Sequence, residues 1–321
     1  MEKQAIHHYH IGISNKYSTL FHYSTYHAKE VGSFSIDVEG NFTDCDSATF
    51  PALLRPLPPL YLDEGFDIKE IDRKRSKFPD AEKPLRWVHA SVKSCQIDCD
   101  VITQKGVLKK IGYTINDKNS WTFEACKYNK KPYIRYPEHD ETSQDMSEWW
   151  RRNSYWGVKF EEHMLTQNPG IKASYKMLQG RLGNKTVLLS AEVDAVATTG
   201  ELIEVKTCFE RKLWKCMPRI WLQSYLGKAE VLMFGWKNAS GVVSKEPQEF
   251  KMADIPGSQF LKEHQANAMI GFLGDVLEWL YEALPDKDET WILEYTGGRQ
   301  IWLKCTGERF LPSWYLQFID G

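Results

Sequence analysis

The chain has 321 residues, of which 42% are hydrophobic, and its formal net charge is −2. A balance this close to neutral excludes nucleic-acid binding through bulk positive charge, so any basic surface must be local. No apolar run approaches the roughly 18–20 residues that cross a bilayer, and no membrane partner is expected. Because no linker or internal repeat interrupts the sequence, we predict a single domain over residues 1–321.

The cysteines and histidines indicate a reducing compartment rather than a metal framework. The cysteines are odd in number and have no framework spacing, so we expect free thiols in a nuclear or cytoplasmic protein: Cys45, Cys95, Cys99, Cys126, Cys208, Cys216 and Cys305. Cys95 and Cys99 lack a second ligand pair for zinc. The histidines at positions 7, 8 and 10 lack a carboxylate or cysteine companion, so neither group is predicted to bind metal.

The first part of the chain predicts an irregular segment followed by strands. Four prolines make residues 51–66 an ordered loop. Residues 73–77 are read as a nuclear signal, an RNA-contacting patch or, as the charge pattern favours, an exposed charged face. Residues 100–135 alternate apolar and polar positions between turn signals at Lys105 with Gly106 and at residues 116–117. This alternation is typical of strands in an antiparallel sheet.

The middle of the chain predicts a helix behind an aromatic cluster. An acidic loop over residues 137–150 leads into side chains that either stack on bases or pack in the core: Trp149, Trp150, Tyr155 and Trp156. Residues 157–165 follow helical spacing, with Glu161 beside the apolar face and three side chains turned inward: Phe160, Met164 and Leu165.

Further elements alternate helices with strand pairs. Residues 171–182 predict a helix that ends at Gly183, and residues 185–206 predict a β-hairpin. A basic amphipathic helix then reaches Leu226, either as an ordinary surface helix or with its cations turned to an anionic ligand. The last predicted elements are a buried strand at 231–235, a turn at 238–241, a helix at 260–284 and a hairpin around Gly297 and Gly298.

The predicted hairpin gathers acidic side chains. Side chains alternate along a strand, so Glu192 and Asp194 would share a face, as would Glu204 and Lys206. If the strands pair, three carboxylates meet on one patch of sheet and repel unless a cation neutralises them. Mg²⁺ or Mn²⁺ is the expected counter-charge because both prefer oxygen ligands.

Such a site suits phosphodiester hydrolysis. Bound metal holds the phosphate and activates a water, and two ions roughly 3.5–4 Å apart divide those tasks. Lys206 would orient the attacking water or balance charge on the phosphate. The spacing from Asp194 to Glu204 and Lys206 resembles the active site of the PD-(D/E)xK nuclease superfamily, with a solvated surface hairpin as the alternative.

Motifs in a fixed order carry a closer resemblance. Residues 157–161 read Gly-Φ-x-Φ-Glu, where Φ is apolar, residues 192–194 read Glu-Φ-Asp and residues 204–206 read Glu-Φ-Lys. Gln223 lies in a Trp-x-Gln-Ser-Tyr-Leu context, and residues 310–315 match a family ending. In this order the set resembles the DXO family of eukaryotic decapping exoribonucleases over nearly the whole chain.

The resemblance implies an α/β (mixed α+β) fold, with two β-sheets flanked by helices around a deep active-site cleft and a PD-(D/E)xK-like nuclease core. It implies these metal ligands: Glu161, Glu192, Asp194, Glu204 and the Val205 carbonyl. The implied catalytic residues are Glu192, Asp194, Glu204 and Lys206. The implied substrate-binding residues are Gln104, Lys105, Gly106, Tyr175, Glu192, Lys206 and Gln223.

Two segments depart from the family pattern. Gln104, Lys105 and Gly106 stand where the family has Trp-Arg-Gly, and Gly40 stands where another arginine contacts RNA. Lysine keeps the charge of arginine but loses its bidentate fork. We therefore expect altered substrate preference and affinity more than an altered hydrolytic step.

The expected function is metal-dependent hydrolysis of RNA 5′ ends in mRNA quality control. Expected substrates are incomplete caps, 5′ triphosphates and NAD caps, with 5′–3′ exoribonuclease activity as a further expectation. The resemblance also implies a 5′–3′ exoribonuclease as a protein partner, besides RNA 5′ ends. The alternatives are a weak or inactive relative that binds RNA 5′ ends as a partner module, and a DNA nuclease that shares only the metal site.

Overall fold

The computed structural model describes residues 8–13, 26–67, 82–91, 97–137 and 147–321. The strands of these residues are β1 His8–Gly12, β2 Ala28–Asp37, β3 Phe42–Thr43, β4 Leu60–Tyr61, β5 Val101–Gln104, β6 Trp121–Tyr128, β7 Lys131–Arg135, β8 Ile171–Leu182, β9 Lys185–Glu192, β10 Ala195–Val196, β11 Leu202–Phe209, β12 Val231–Lys237, β13 Val242–Val243, β14 Gln248–Lys251, β15 Lys287–Tyr295 and β16 Gln300–Cys305. The α-helices are α1 Lys83–Ala90, α2 Lys105–Tyr113, α3 Glu148–Met164, α4 Leu213–Leu226, α5 Glu263–Ala283 and α6 Ser313–Asp320.

Two mixed β-sheets organise these elements. The larger sheet has the order β1-β16-β15-β6-β7-β5-β9-β8-β2-β3, and the smaller has the order β10-β11-β12-β13-β4, with β14 also paired to β12. Strand β5 runs parallel to β7 and β9, and β11 runs parallel to β12, whereas the other strand pairs are antiparallel. The predicted fold class, two sheets with flanking helices, is confirmed.

One hydrophobic core joins the two sheets through helices. It contains Leu178 and Val187 from the larger sheet, Phe234 from the smaller sheet, and side chains of α2, α4 and α5. A second cluster packs Trp156 and Phe160 of α3 against β11. None of the helices in the described ranges is long and apolar enough to span a bilayer.

The prediction of a turn and strands over residues 105–113 is wrong, because this segment is helix α2. Its buried residues are Lys105, Val107, Leu108, Ile111 and Gly112, which recur at helical spacing. Gly112 lies against Leu222 of α4 and Met269 of α5, where an added Cβ would lie 3.1 Å from Leu222 Cδ2. Packing against these two helices stabilises the segment as a helix, although the alternation of its apolar and polar residues is also compatible with a strand.

The helix predicted for residues 171–182 is also wrong. The segment is the twelve-residue strand β8, paired with β2 on one edge and β9 on the other. A short apolar run does not separate helix from strand by periodicity alone. Pairing on both edges makes this segment a strand, because the backbone N–H and C=O groups of its central residues find their hydrogen-bond partners within the sheet.

The predicted hairpin over residues 185–206 is corrected in its pairing. Strand β9 ends at Glu192 and has both edges occupied by β5 and β8 in the larger sheet, so β11 cannot pair with it. The chain then crosses to the smaller sheet, where the short β10 pairs with β11 through Ala195↔Ile203. Glu192 and Asp194 therefore do not share a face of one strand.

Other predicted elements are confirmed. The helix containing residues 157–164 begins earlier, at Glu148, after Ser147 accepts a hydrogen bond from the Trp150 backbone N–H at 3.4 Å, and Leu165 follows its end. The structure also contains α4, α5, the buried strand β12 and the β15–β16 hairpin. Trp156 packs in the core, whereas Trp149 and Trp150 remain half exposed. The basic residues 73–77 and Cys95 lie outside the described residues.

Candidate active site

The candidate active site lies where the chain crosses from one sheet to the other. Glu192 is the last residue of β9, and Asp194 precedes β10. Glu204 and Lys206 are two residues apart on β11, so their side chains leave the same face of that strand. Helix α3 packs against β11 and brings the carboxylate of Glu161 to this point.

The ammonium group of Lys206 occupies the centre of the carboxylates. Its Nζ lies 2.9 Å from Asp194 Oδ2, 2.9 Å from Glu204 Oε1 and 3.6 Å from Glu161 Oε1. It also donates a hydrogen bond to the Val205 carbonyl at 2.8 Å. Asp194 Oδ2 accepts a second hydrogen bond, from the Val205 backbone N–H at 2.8 Å. The predicted site residues of β11, α3 and the crossover therefore meet.

Glu204 is the most enclosed carboxylate of the cluster, with a side chain only 4% exposed. Gln223 of α4 donates a hydrogen bond to its Oε1 at 2.6 Å. Lys105 of α2 lies 3.2 Å from its Oε2 and also donates to the Glu192 carbonyl at 2.8 Å. Two helices from the hydrophobic core thus hold one carboxylate of β11 in place.

The charges of the cluster shift the acidities of its members. Burial, together with Asp194 and Glu192, raises the pKa of Glu161 to about 8 although Lys206 opposes the shift. Burial and the charge of Glu204 raise the pKa of Asp194. Burial also disfavours the ionised form of Glu204, but Lys105 and Lys206 together outweigh it and lower that pKa to about 2. The ionised form is therefore favoured at Glu204, which has two ammonium partners, and disfavoured at Glu161 and Asp194.

The raised pKa of Glu161 predicts a stability that depends on pH. A carboxyl whose pKa rises from 4.5 to about 8 on folding holds its proton more tightly in the folded state, so stability falls as pH rises between those values. In metal-free buffer, Glu161→Gln should reduce this fall, as thermal unfolding at pH 5.5, 6.5, 7.5 and 8.5 measures. The matched control is Glu162→Gln, since exposed Glu162 pairs with Lys159 instead. Equal slopes for the two variants would contradict the prediction.

Two adjoining cavities form the cleft beside this cluster. One, of about 270 Å³, is lined by Lys83, Gln104, Lys105, Gly106, Lys109, Tyr136, Tyr175, Ser190, Glu192 and Gln223. The other, of about 240 Å³, includes Glu161, Glu192 and Asp194 in its lining. Glu192 lines both cavities and so stands at their junction. The substrate-binding residues expected from the sequence, apart from Lys206, thus line one cavity.

Two cations of this cavity, Lys83 and Lys109, were missed by the sequence analysis. Lys83 donates a hydrogen bond to the Tyr175 hydroxyl at 2.6 Å, and Lys109 donates to Gln223 Oε1 at 3.0 Å. Burial and then the nearby Arg219 and Lys105 lower the pKa of Lys109 to about 8. The signal for Lys109 is its position four residues after Lys105, which places both on one face of α2 only once that segment is read as a helix.

The structure shows where Lys105 and Gly40, which replace arginines of the family pattern, lie. Lys105 is buried, and its ammonium is directed at Glu204. Gly40 closes the turn between β2 and β3 with a φ of +91°, a left-handed conformation that glycine adopts without a steric penalty. An arginine at Gly40 would be strained in this conformation.

The residues present fit a hard divalent cation. Among the described residues, no three His, Cys, Asp or Glu side chains are placed so that they could hold a metal ion without moving. The carboxylates converge instead on Lys206 Nζ. Their oxygen atoms and the Val205 carbonyl are ligands that Mg²⁺ and Mn²⁺ prefer. Burial first, and then the neighbouring carboxylates, raise the pKa values of Glu161 and Asp194, and a bound cation would offset both effects.

An aspartate before one strand, with a glutamate and a lysine two residues apart on the next, defines a nuclease site of the PD-(D/E)xK class. A family model described as RAI1 like PD-(D/E)XK nuclease matches residues 27–316. The chain belongs to this family. The predicted enzyme class, a nuclease and hence a hydrolase, is confirmed, as is the family expected from the motifs.

Individual relatives are distant but cover most of the chain. Decapping nuclease RAI1 of Aspergillus fumigatus is 25% identical over 317 residues, covering 80% of this chain and 82% of its own. The crystal structure of Scheffersomyces stipitis Rai1 has a TM-score of 0.78 and 17% identity, covering 97% of each chain. That of Candida albicans Rai1 in complex with pU5-Mn²⁺ has a TM-score of 0.72 and 14% identity, covering 94% of this chain and 93% of its own. The structural likeness supports the fold.

Proposed function

We propose that this chain is a metal-dependent hydrolase of RNA 5′ ends. The proposed reactions are removal of incomplete, unmethylated caps, hydrolysis of 5′ triphosphates and removal of NAD caps, with 5′–3′ exoribonuclease activity on the exposed RNA. The observation that carries the proposal is the convergence of Glu161, Asp194 and Glu204 on Lys206. The cation-lined cavity lies beside it, since Lys105 and Gln223 of its lining both contact Glu204. The decapping name of the Aspergillus relative and the RNA and manganese of the Candida complex support it.

In this proposal the carboxylates hold the metal, and the number of carboxylates favours two ions. Glu161, Glu192, Asp194, Glu204 and the Val205 carbonyl would be the ligands. Bound metal would supply Lewis-acid stabilisation of the phosphate and an activated water.

The remaining groups position the substrate and the ligands. Gln223 fixes the orientation of Glu204 through its 2.6 Å hydrogen bond. Lys206 must exchange at least one carboxylate for the substrate, because a cation among these oxygens competes with its ammonium. Once released from that carboxylate, the ammonium would be available to balance the charge on the phosphate as the bond breaks.

The cations of the cavity are proposed to bind the phosphates of the RNA. Lys83→Met should weaken RNA binding and reduce the slope of log affinity against log salt by about 1, the effect of losing one phosphate contact. Fluorescence anisotropy over a salt series measures both quantities in metal-free buffer. Lys251→Met is the matched control, since Lys251 is exposed on β14 and outside this cavity. The same slope for the parent and Lys83→Met would rule out a phosphate contact by Lys83.

A panel of RNA 5′ ends tests the function. RNAs of one sequence carry an unmethylated cap, a methylated cap, a triphosphate, a monophosphate or an NAD cap, and each is incubated with Mg²⁺, Mn²⁺ or a chelator. Product sizing identifies the bond cut and separates decapping from exonuclease digestion. DNA of the same sequence tests the DNA-nuclease alternative. We expect metal-dependent products from RNA, and no product from any 5′ end would refute the enzyme proposal.

A second candidate is a weak or inactive module that binds RNA 5′ ends. One observation favours it, because both oxygens of Glu204 already have partners in Gln223, Lys206 and Lys105. A metal would have to compete with these groups for Glu204. Thermal unfolding with and without Mn²⁺ separates the candidates, since an ion that binds only the folded state raises its stability as the free ion concentration exceeds the Kd. RNA binding without Mn²⁺ stabilisation or products would favour the module.

We also propose a nuclear or cytoplasmic location and a 5′–3′ exoribonuclease as partner. The partner rests on the family resemblance, and the location rests also on the lack of cysteine framework spacing in the sequence. Imaging of the tagged protein and co-purification with such an exoribonuclease test them.

A further inference from the structure

Two cysteines meet between elements that carry active-site groups. Cys208 lies near the end of β11, and Cys216 lies in the first turn of α4. Their Sγ atoms are 3.6 Å apart, and the Cys208 thiol donates a hydrogen bond to Cys216. Strand β11 also carries Glu204, and α4 also carries Gln223, which hydrogen-bonds to it.

The surroundings of the pair favour a thiolate on Cys216. Cys208 is buried, whereas Cys216 is half-buried. The hydrogen bond from Cys208, followed by the charges of Arg219, Lys212 and Lys237, lowers the pKa of Cys216 to about 6 although burial opposes the shift. A low thiol pKa, partial exposure and an adjacent second thiol are the features of cysteines that peroxides oxidise.

Other cysteines of the described ranges have different surroundings. Burial raises the pKa of Cys99 to about 11 and raises that of Cys126 well above its ordinary value. Cys305 is half-buried like Cys216 and lies on β16 of the larger sheet. Cys99 and Cys126 therefore serve as unreactive references, and Cys305 serves as a reference for exposure.

We infer that Cys208 and Cys216 are a peroxide-sensitive dithiol that closes to a disulfide between β11 and α4. The site takes a hydroperoxide as its oxidant. The inference does not depend on the proposed RNA substrate, because the product is a covalent bond within the protein.

The reaction proceeds in two balanced steps. The Cys216 thiolate attacks one oxygen of hydrogen peroxide, the O–O bond breaks, and hydroxide leaves and takes up a proton as water. Cys216 is then a sulfenic acid. The Cys208 sulfur attacks the Cys216 sulfur, the S–O bond breaks, and the departing hydroxide takes the Cys208 proton as a second water. Two thiols lose two electrons in total, and peroxide is reduced to two waters.

Formation of the disulfide between Cys208 and Cys216 should disturb the active site. A disulfide places its sulfurs about 2.05 Å apart, so the pair must approach by about 1.5 Å from the present 3.6 Å. Whatever part of this movement the side chains do not supply must come from the strand of Glu204 or the helix of Gln223, because these elements carry the two cysteines. A misplacement of about 1 Å at a catalytic centre costs on the order of 100-fold in rate. We expect oxidised protein to lose at least about tenfold of its hydrolytic rate and to regain it with dithiothreitol.

Mass spectrometry of the full chain tests the inference. After treatment with one to ten equivalents of hydrogen peroxide in metal-free buffer, remaining thiols are alkylated and the protein is digested. The parent protein and the control Cys305→Ser should yield peptides linked between Cys208 and Cys216, and dithiothreitol should separate them. Cys208→Ser should instead retain a sulfenic acid on Cys216 that dimedone traps. Cys216→Ser should give neither product.

A second measurement uses the parent protein, so it does not require the cysteine variants to fold. Iodoacetamide at neutral pH should alkylate Cys216 at least about tenfold faster than Cys305, because the thiolate is the reactive species. Parent protein that forms no linkage between Cys208 and Cys216 would overturn the inference, as would alkylation of Cys216 no faster than that of Cys305. Loss of hydrolysis without the linked peptide would assign the inactivation to another site.

Discussion

The paired substitution Glu192→Gln with Asp194→Asn is expected to lower hydrolysis by about 10³-fold or more, since loss of one charge-stabilising group alone costs about 10²–10³-fold and this variant loses two. Both residues lose a metal-binding charge. Asparagine keeps an acceptor for the Val205 backbone N–H, which Asp194 binds at 2.8 Å, so β11 should hold its position. Affinity for RNA should change little, since the phosphate contacts come from lysines.

The same variant should keep or gain stability in metal-free buffer. Burial and Glu204 raise the pKa of Asp194, so its ionised form is disfavoured in the folded state at neutral pH. Turnover, RNA affinity and the midpoint of thermal unfolding are the measurements. The matched control combines Glu201→Gln with Glu210→Gln. These two acidic residues are exposed, one just before β11 and the other just after it. Full activity in the Glu192 and Asp194 variant would show that the catalytic centre lies elsewhere.

Lys105→Met is expected to destabilise the protein by about 3 kcal/mol, the scale for removing one partner of a buried ion pair. Lys105 and Glu204 lie 3.2 Å apart with side chains 9% and 4% exposed. Lys105 lowers the pKa of Glu204 to about 2 together with Lys206, so the ionised Glu204 stabilises the fold above its ordinary pKa of 4.5. That contribution is lost as pH falls through about 2. Without Lys105 the pKa of Glu204 rises toward its ordinary value, so this contribution is smaller and its loss is complete at a higher pH.

Urea unfolding at several pH values measures the effect of Lys105→Met. Lys110→Met is the control because Lys110 is exposed on the same helix, α2. The salt dependence of RNA affinity is a separate readout, since the sequence also predicts a phosphate contact for Lys105. Stability equal to that of Lys110→Met would mean that the pair with Glu204 contributes nothing. An unchanged salt slope would leave phosphate binding to Lys83 and Lys109.

The sequence by itself determined the family and the chemistry of the site. Glu161, Glu192, Asp194, Glu204 and Lys206 lie in short motifs whose residue types already indicate a metal-dependent nuclease. Local patterns also predicted α5 and the β15–β16 hairpin, because a long apolar stripe and a glycine turn are signals within one segment. These features need no information about distant parts of the chain.

The tertiary structure decided how those residues meet. Strand β8 and helix α2 were assigned to the wrong class because contacts with remote segments fix each of them. Glu192 and Glu204 belong to different sheets, and only the crossover between the sheets brings their strands to one cleft. The Lys105–Glu204 pair has the same origin, since its partners are 99 positions apart in the sequence. Periodicity reports the face of a segment, whereas the partner of that face is set by packing across the whole chain.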